Sequence, residues 1–296
     1  MSVLYAGSLV NLMEKGIGPA FQKQTGISYQ GQGAGSVALA NAIKDKTKFG
    51  DVFVSADPVV NKNLMGSANG AWLDAYVLVA RTTMVVGYNP KSSFAGEFDK
   101  VKNGALAWYQ VLEEPGLRLG RTDPNLDPKG YRTLFMFDLA EAYYHQPGLR
   151  AKLLGADENA KQVFPEETLE SRLETGALDA GVFYLNEAAE KHLPYITLPD
   201  EVNQGNPDMA AIYAKARYTN AKGRTFAGGP IIYTAGTLNH AKDPAAGRAF
   251  LEFLLSGSAQ AIMKDHGLLS VPALYGGDKS ALPAGIQPLL KGTFQA

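Results

Sequence analysis

Short apolar runs rich in β-branched and aromatic residues alternate, along the first third of the chain, with segments whose apolar positions recur at helical spacing. Residues 3–6 read as a strand, 9–24 as a helix, 27–30 as a strand, 37–46 as a helix and 51–55 as a third strand. Such alternation marks βαβ units and a largely parallel sheet, so the class is α/β. Ligands of open α/β sheets gather beyond the carboxyl ends of the strands. The first two strands here end in Ala6-Gly7-Ser8 and Gly33-Ala34-Gly35-Ser36.

Further on, a longer extended run over 76–88 leads into Asn89-Pro90, where the texture of the chain changes. A second extended run covers 230–238, and an amphipathic helical pattern carrying Phe250, Leu251, Phe253 and Leu254 follows over 245–256. These two runs read as crossings between lobes. They divide the chain into a discontinuous first lobe, 1–89 with 227–296, and a second lobe, 90–226. The Gly- and Ala-rich stretch 276–285 reads as a surface wrap, and there is no internal repeat.

Composition narrows the function classes. A chain of 296 residues, 46% hydrophobic and 19% charged, is long enough for two lobes with a core each. Its 28 Lys and Arg nearly cancel its 29 Asp and Glu, so no global field attracts nucleic acid or an anionic membrane, and any anion site must be local. The lack of cysteine excludes disulfides, thiolate metal sites and cysteine nucleophiles. No apolar run approaches the roughly 20 residues that span a bilayer. Met1-Ser2 runs directly into Val3-Leu4-Tyr5 without the pattern of a secretory leader, which suits either a cytosolic protein or an exported one shown without its signal or lipoprotein leader. The residues considered next favour export.

Four segments offer polar groups at helix starts. Ser8 and Ser36 each follow a strand and a glycine and precede an apolar helix, so hydroxyl and backbone N–H groups can meet a ligand there. A helix start lets a near-neutral protein hold a dianion without a cationic side chain. The plain alternative is that each serine caps its helix. Asp127 is the natural cap of the helical pattern that follows it, and Pro128 fits the first turn, leaving Lys129 and Gly130 to supply backbone donors. Here the plain alternative is a capping aspartate beside a solvated Lys129. Phe164-Pro165-Glu166-Glu167 opens a helix closed by Thr175-Gly176, and Tyr184 ends the apolar run Ala180-Gly181-Val182-Phe183-Tyr184. The acids suit the positive helix end with or without a ligand, and Tyr184 is equally readable as a core tyrosine.

Tyr5-Ala6-Gly7-Ser8-Leu9, Gly33-Ala34-Gly35-Ser36, Asp51-Val52-Phe53-Val54-Ser55-Ala56-Asp57 and Asp127-Pro128-Lys129-Gly130-Tyr131-Arg132 together resemble the periplasmic molybdate/tungstate-binding proteins of ABC importers, closest to their archaeal-type branch. Leu173-Glu174-Thr175-Gly176-Ala177-Leu178-Asp179, Val182-Phe183-Tyr184 and Gly229-Pro230-Ile231-Ile232-Tyr233 extend the resemblance in order, and it fades after Pro272. It implies a type II periplasmic-binding-protein fold: two α/β lobes joined by two crossing segments, with the anion in a cleft between them. By motif position, Ser8, Ser36 and Tyr184 would donate hydroxyl hydrogen bonds and Lys129 a backbone one, while Asp127 and Glu166 would approach the metal of the oxyanion. Glu167 stands one residue away as an alternative to Glu166. The resemblance further implies a monomer outside the cytoplasm, periplasmic or lipid-anchored, that serves a permease and its ATPase. Molybdate or tungstate would be the cargo, with no cofactor and no catalysis.

Two rivals remain. One is a binding protein of the same fold for sulfate, phosphate, ferric ion or a small organic anion. Tyr143-Tyr144 suggests iron, but neighbours lie about 100° apart around a helix and cannot both face one cleft. The other is a hydrolase with Ser8 or Ser36 as nucleophile, which needs a base within reach. The four histidines, His145, His192, His240 and His266, read as lying late in or after helices, away from both serine motifs.

Overall fold

The structure is a computed structural model that describes residues 1–295, apart from the side chain of Glu167. The chain divides into two compact units, Met1–Arg81 with Ile231–Ala296, and Thr82–Pro230. Numbered along the chain, the strands are β1 Ser2–Ala6, β2 Gln30–Ala34, β3 Val52–Ser55, β4 Ala75–Thr82, β5 Met84–Tyr88, β6 Leu119–Gly120, β7 Ala180–Tyr184, β8 Tyr195–Thr197, β9 Arg217–Thr219, β10 Thr225–Ala227, β11 Ile231–Thr237, β12 Leu274–Gly277 and β13 Gly292–Thr293.

The first unit is built on a seven-stranded sheet in the order β13-β12-β4-β11-β3-β1-β2. β1 lies parallel to β2 on one side and to β3 on the other. The chain therefore leaves β1 in one direction, returns past it, and creates at its carboxyl end the kind of switch point where α/β sheets hold ligands. Phe21 packs edge-on against Phe250 and Phe253, with centroids 5.1 and 5.6 Å apart, and so joins the first helical region to the helix Pro244–Leu254.

Several sequence expectations shift. β2 covers Gln30–Ala34 rather than 27–30. Gln30-Gly31-Gln32-Gly33 has little intrinsic strand preference. A Cβ on Gly31 or Gly33 would come within 2.7 or 2.8 Å of the Tyr5 ring, so glycine is what lets this edge strand lie against β1. The single helix expected over 9–24 is a 3₁₀ turn Gly7–Leu9, a π-helical stretch Leu12–Ile17 and an α-helix Gly18–Thr25. Pro19 cannot donate to the carbonyl a turn behind it, and the widened π turn just before accommodates that gap. The extended run over 76–88 is two strands, and β5 pairs with β7 and β8, so the units meet in sequence at Arg81 and Thr82, ahead of Asn89-Pro90. The first two residues of the expected wrap over 276–285 end strand β12, antiparallel to β4 through Gly276 with Tyr76 and Gly277 with Ala75.

The second unit carries a four-stranded sheet in the order β6-β7-β5-β8 and a small antiparallel pair, β9 and β10. β6 and β7 are parallel. Val85, Leu169, Leu173, Leu178 and Phe183 form one buried cluster beneath that sheet, and Tyr131 stacks on Phe226 at 4.4 Å.

Candidate functional site

In the first unit, β1 and β2 end together in the registered pair Ala6 and Ala34, and each is followed two residues later by a serine. Register alone therefore places Ser8 and Ser36 at one sheet end. Neither serine caps a helix: the capping positions are Ala6 and Gly35, neither with a side-chain bond. Ser36 is fully buried, and its Oγ accepts the Ala56 N–H at 3.2 Å, just past the end of β3. Ser8 is buried, and its Oγ accepts from the Tyr233 hydroxyl at 3.0 Å. Sequence reasoning missed Tyr233, because a tyrosine inside an apolar strand carries no mark that separates a core ring from a working hydroxyl. The end of β3 closes on itself instead. Ser55 Oγ donates to the Asp57 carbonyl at 2.7 Å, and Asp57 Oδ1 caps the next helix through Val59 N–H at 2.9 Å.

The second unit gathers charge. Asp127 caps the helix Pro128–Tyr144 as expected, its Oδ1 accepting the Lys129 N–H at 3.1 Å with Pro in the first turn. The Gly130 N–H bonds the Asp127 carbonyl, also at 3.1 Å. The backbone donors expected to face a ligand are thus taken up by Asp127, and what remains open is its Oδ2, buried without a hydrogen-bond partner. Gly130 admits no side chain, since a Cβ would sit 2.5 Å from the Asp123 carbonyl.

Glu166 opens the helix Glu166–Glu174, is 6% exposed, and neither of its carboxylate oxygens makes a hydrogen bond. Its alternative, Glu167, has its side chain outside what the structure describes. Lys129 is not solvated. It is 0% exposed, with Nζ 2.5 Å from Glu187 Oε1 and 3.3 Å from Glu166 Oε1. The other Glu187 oxygen accepts the Tyr184 N–H at 2.8 Å. Tyr184 ends β7 fully buried, its ring centroid 5.6 Å from the lysine nitrogen. Asp127, Lys129, Glu166 and Tyr184 therefore share one neighbourhood, to which the structure adds Glu187.

Backbone pairing fixes that neighbourhood. Beyond β6, Arg121 bridges Val163 in parallel, its N–H donating to Gln162 at 2.8 Å and its carbonyl accepting from Phe164 at 2.9 Å. The two helix starts thus leave from adjacent extended segments. The Arg121 guanidinium is fully buried and donates to the Asp157 and Ala156 carbonyls at 2.7 and 2.8 Å. Burial brings its pKa down to about 10.

Electrostatics follow from crowding. Burial pushes the Asp127 carboxyl up to about 6 against the opposing pull of Lys129. Burial, then repulsion from Asp127, holds Glu166 well above the usual carboxylate range, and Lys129 again opposes. Burial and the nearby Glu187 bring Glu170 up to about 7. Burial alone would lower Lys129, but Glu187, Glu166 and Asp127 outweigh it and hold the ammonium charged. Carboxylate oxygens with open lone pairs in a dry site repel a simple dianion. They are suited to an electron-poor centre that can accept them. Among the described residues, no group of three or more His, Asp or Glu is placed to hold a free metal ion.

Three histidines follow helices as expected: His145 and His266 end Pro128–Tyr144 and Gly257–Asp265, and His192 lies just past Leu185–Glu190. His240 does not; it follows β11 and packs edge-on against Trp72 at 5.0 Å. The sequence had no helix-independent cue for it.

The fold is that of the type II periplasmic binding proteins. It is similar to the periplasmic molybdate-binding protein of Azotobacter vinelandii, with a TM-score of 0.61 and 18% identity over 92% of this chain and 99% of that one. The chain belongs to the bacterial extracellular solute-binding protein family, whose model matches residues 1–269. A Haloferax volcanii protein named for molybdenum binding in an ABC transporter is 33% identical over 90% of this chain and 80% of its own length. The molybdate/tungstate-binding protein WtpA of Pyrococcus abyssi is 30% identical over 93% of this chain and 86% of its own. The family and these relatives are solute-binding proteins rather than enzymes. Among the described residues, no helix is long and apolar enough to cross a membrane.

Proposed function

We propose that this protein is the substrate-binding component of an ABC importer and carries molybdate or tungstate to a permease driven by its ATPase. The observation that carries the proposal is the pair Asp127 and Glu166: buried carboxylates at two helix starts, with Oδ2 of one and both oxygens of the other outside any hydrogen bond. Two buried acids beside one shared lysine are costly, so a site that keeps carboxylate oxygens outside hydrogen bonds favours a guest that can take them up. Molybdenum and tungsten in their oxyanions can accept further oxygen ligands, whereas sulfur in sulfate cannot. In this reading Ser8 and Ser36 supply hydroxyl donors from the first unit, and Asp127, Glu166 and Tyr184 complete the shell from the second. Contact with both units in the loaded state would draw them together, a change the permease can sense. The names of the relatives in Haloferax and Pyrococcus support the same cargo.

Calorimetry with molybdate, tungstate, sulfate and phosphate tests the proposal. Tight binding of the two metal oxyanions and weak binding of the others is expected, and failure of both metal oxyanions to bind at micromolar concentration defeats it. X-ray scattering with and without tungstate checks the closure separately, through a fall in radius of gyration on loading.

A further inference from the structure

Lys129 stands where the sequence motif implies only a backbone donor, yet its side chain is fully buried and bonded. Glu187 grips its ammonium at 2.5 Å and is itself fixed by the Tyr184 N–H at 2.8 Å, at the end of β7. The lysine therefore cannot swing fully onto Glu166. It stays 3.3 Å from Oε1, within ion-pair distance, and Oε2 has no hydrogen-bond partner. A lysine seated squarely between the two oxygens of Glu166 would compete with a metal for both of them. With no lysine at all, the carboxylate would face Asp127 and an incoming dianion with no counter-charge.

We propose that Lys129, tethered by Glu187, is a positioning residue that makes the site selective for oxyanions of metals able to accept extra oxygen ligands, by pairing with Oε1 of Glu166 at ion-pair distance while leaving Oε2 available. The inference rests on the metal-oxyanion reading above and adds to it a device that the ligand set alone does not contain. Glu187 is part of that device without touching the ligand. Sulfate has no use for the open oxygens and gains nothing from the arrangement.

The test compares the intact protein with the double variant Lys129→Met/Glu187→Gln, which removes the lysine together with its tether, so that Glu187 is not left as a further unpaired charge while Glu166 loses its counter-ion. The glutamine carbonyl can still accept the Tyr184 N–H. Tungstate and sulfate affinities are measured by calorimetry, and the oxygen shell of bound tungsten by L-edge X-ray absorption. In the variant, tungstate should bind at least about 30-fold more weakly, sulfate should stay within about 3-fold of its original value, and the tungsten should lose an oxygen neighbour. If the double variant does not fold, Glu187→Gln alone serves, with a smaller loss of the same selective kind. Equal losses for both anions with an unchanged tungsten shell, or no loss at all, overturn the positioning role while the cargo stands. A four-oxygen shell in the intact protein also overturns it, because no carboxylate then reaches the metal. An intact protein that binds neither tungstate nor molybdate overturns the cargo itself, and this inference with it.

Discussion

The two units solve one geometric problem with opposite electrostatics. In each, neighbouring parallel extended segments end side by side and release the chain into helix starts: Ser8 and Ser36 beyond β1 and β2, Asp127 and Glu166 beyond the bridged Arg121 and Val163. The first unit uses neutral hydroxyls, each already bonded, to Tyr233 and to Ala56 N–H. The second buries three acids around one lysine and leaves acid oxygens open. Neutral bonded groups cost little to bury, while acids that outnumber their one cation cost several times more. In the proposed function the first arrangement suits any small tetrahedral anion, and the second gives up stability in exchange for discrimination.

That contrast can be broken most severely at Asp127. Asparagine is as good a helix cap as aspartate. Asp127→Asn should therefore keep the helix start yet weaken tungstate by about 100-fold, the scale expected when a buried charged contact is lost. It should also raise stability at pH 7.5 by on the order of 1–2 kcal/mol, because a carboxyl raised to about 6 by burial is harder to ionise in the folded state than in the unfolded chain. Denaturant unfolding beside calorimetry checks both signs, and a joint loss of binding and stability would mean that Asp127 is only a cap.

Next in size is saturation with tungstate, which should add about 4 kcal/mol to unfolding at a thousand times the dissociation constant. Thermal melts over a concentration series read it directly. Ser36→Ala should weaken tungstate by about 10-fold and cost about 1–2 kcal/mol, since the buried Ala56 N–H loses its acceptor. Ser8→Ala should do about half as much, the Tyr233 hydroxyl losing a partner at 3.0 Å. Sulfate should suffer from both serine changes in the same proportion as tungstate, in contrast to the selective losses predicted for the second unit.

The smallest effect concerns pH. Glu170 has its folded pKa raised to about 7 from 4.5, so the folded state holds a proton that the unfolded chain has released. Its contribution makes stability fall as pH rises from about 4.5 to about 7 and level off above. Glu170→Gln should flatten that decline, by on the order of 1–2 kcal/mol between pH 5 and 7.5. Unfolding curves at the two pH values decide it, and parallel curves for the two proteins would count against the burial of Glu170.

Much of this was legible in the sequence because it is local. The glycine-serine steps after strands, the Asp127-Pro128 start and the punctuation of Glu166 to Gly176 all express backbone preferences within a few residues. The burial of Lys129 was not legible. Its partners come from Glu166 and from Glu187, 58 positions away, and a lone lysine near a helix start looks like any solvated one. β2 hid for a different reason: its glycines serve the Tyr5 ring rather than the strand. The π stretch at Leu12–Ile17 depends on how a proline displaces the preceding turn, which helical periodicity does not register.

The pairing of Arg121 with Gln162 and Phe164 has an evolutionary consequence. The chain leaves that arginine, makes the helix Pro128–Tyr144 and a long excursion, and comes back to the same residue before starting Glu166. Residues can be gained or lost at the far end of that excursion without altering the spacing of the two acids. A peptide inserted at the exposed turn Gln146–Gly148, ahead of the helix and carbonyls that hold Arg121, should therefore be tolerated without moving either acid.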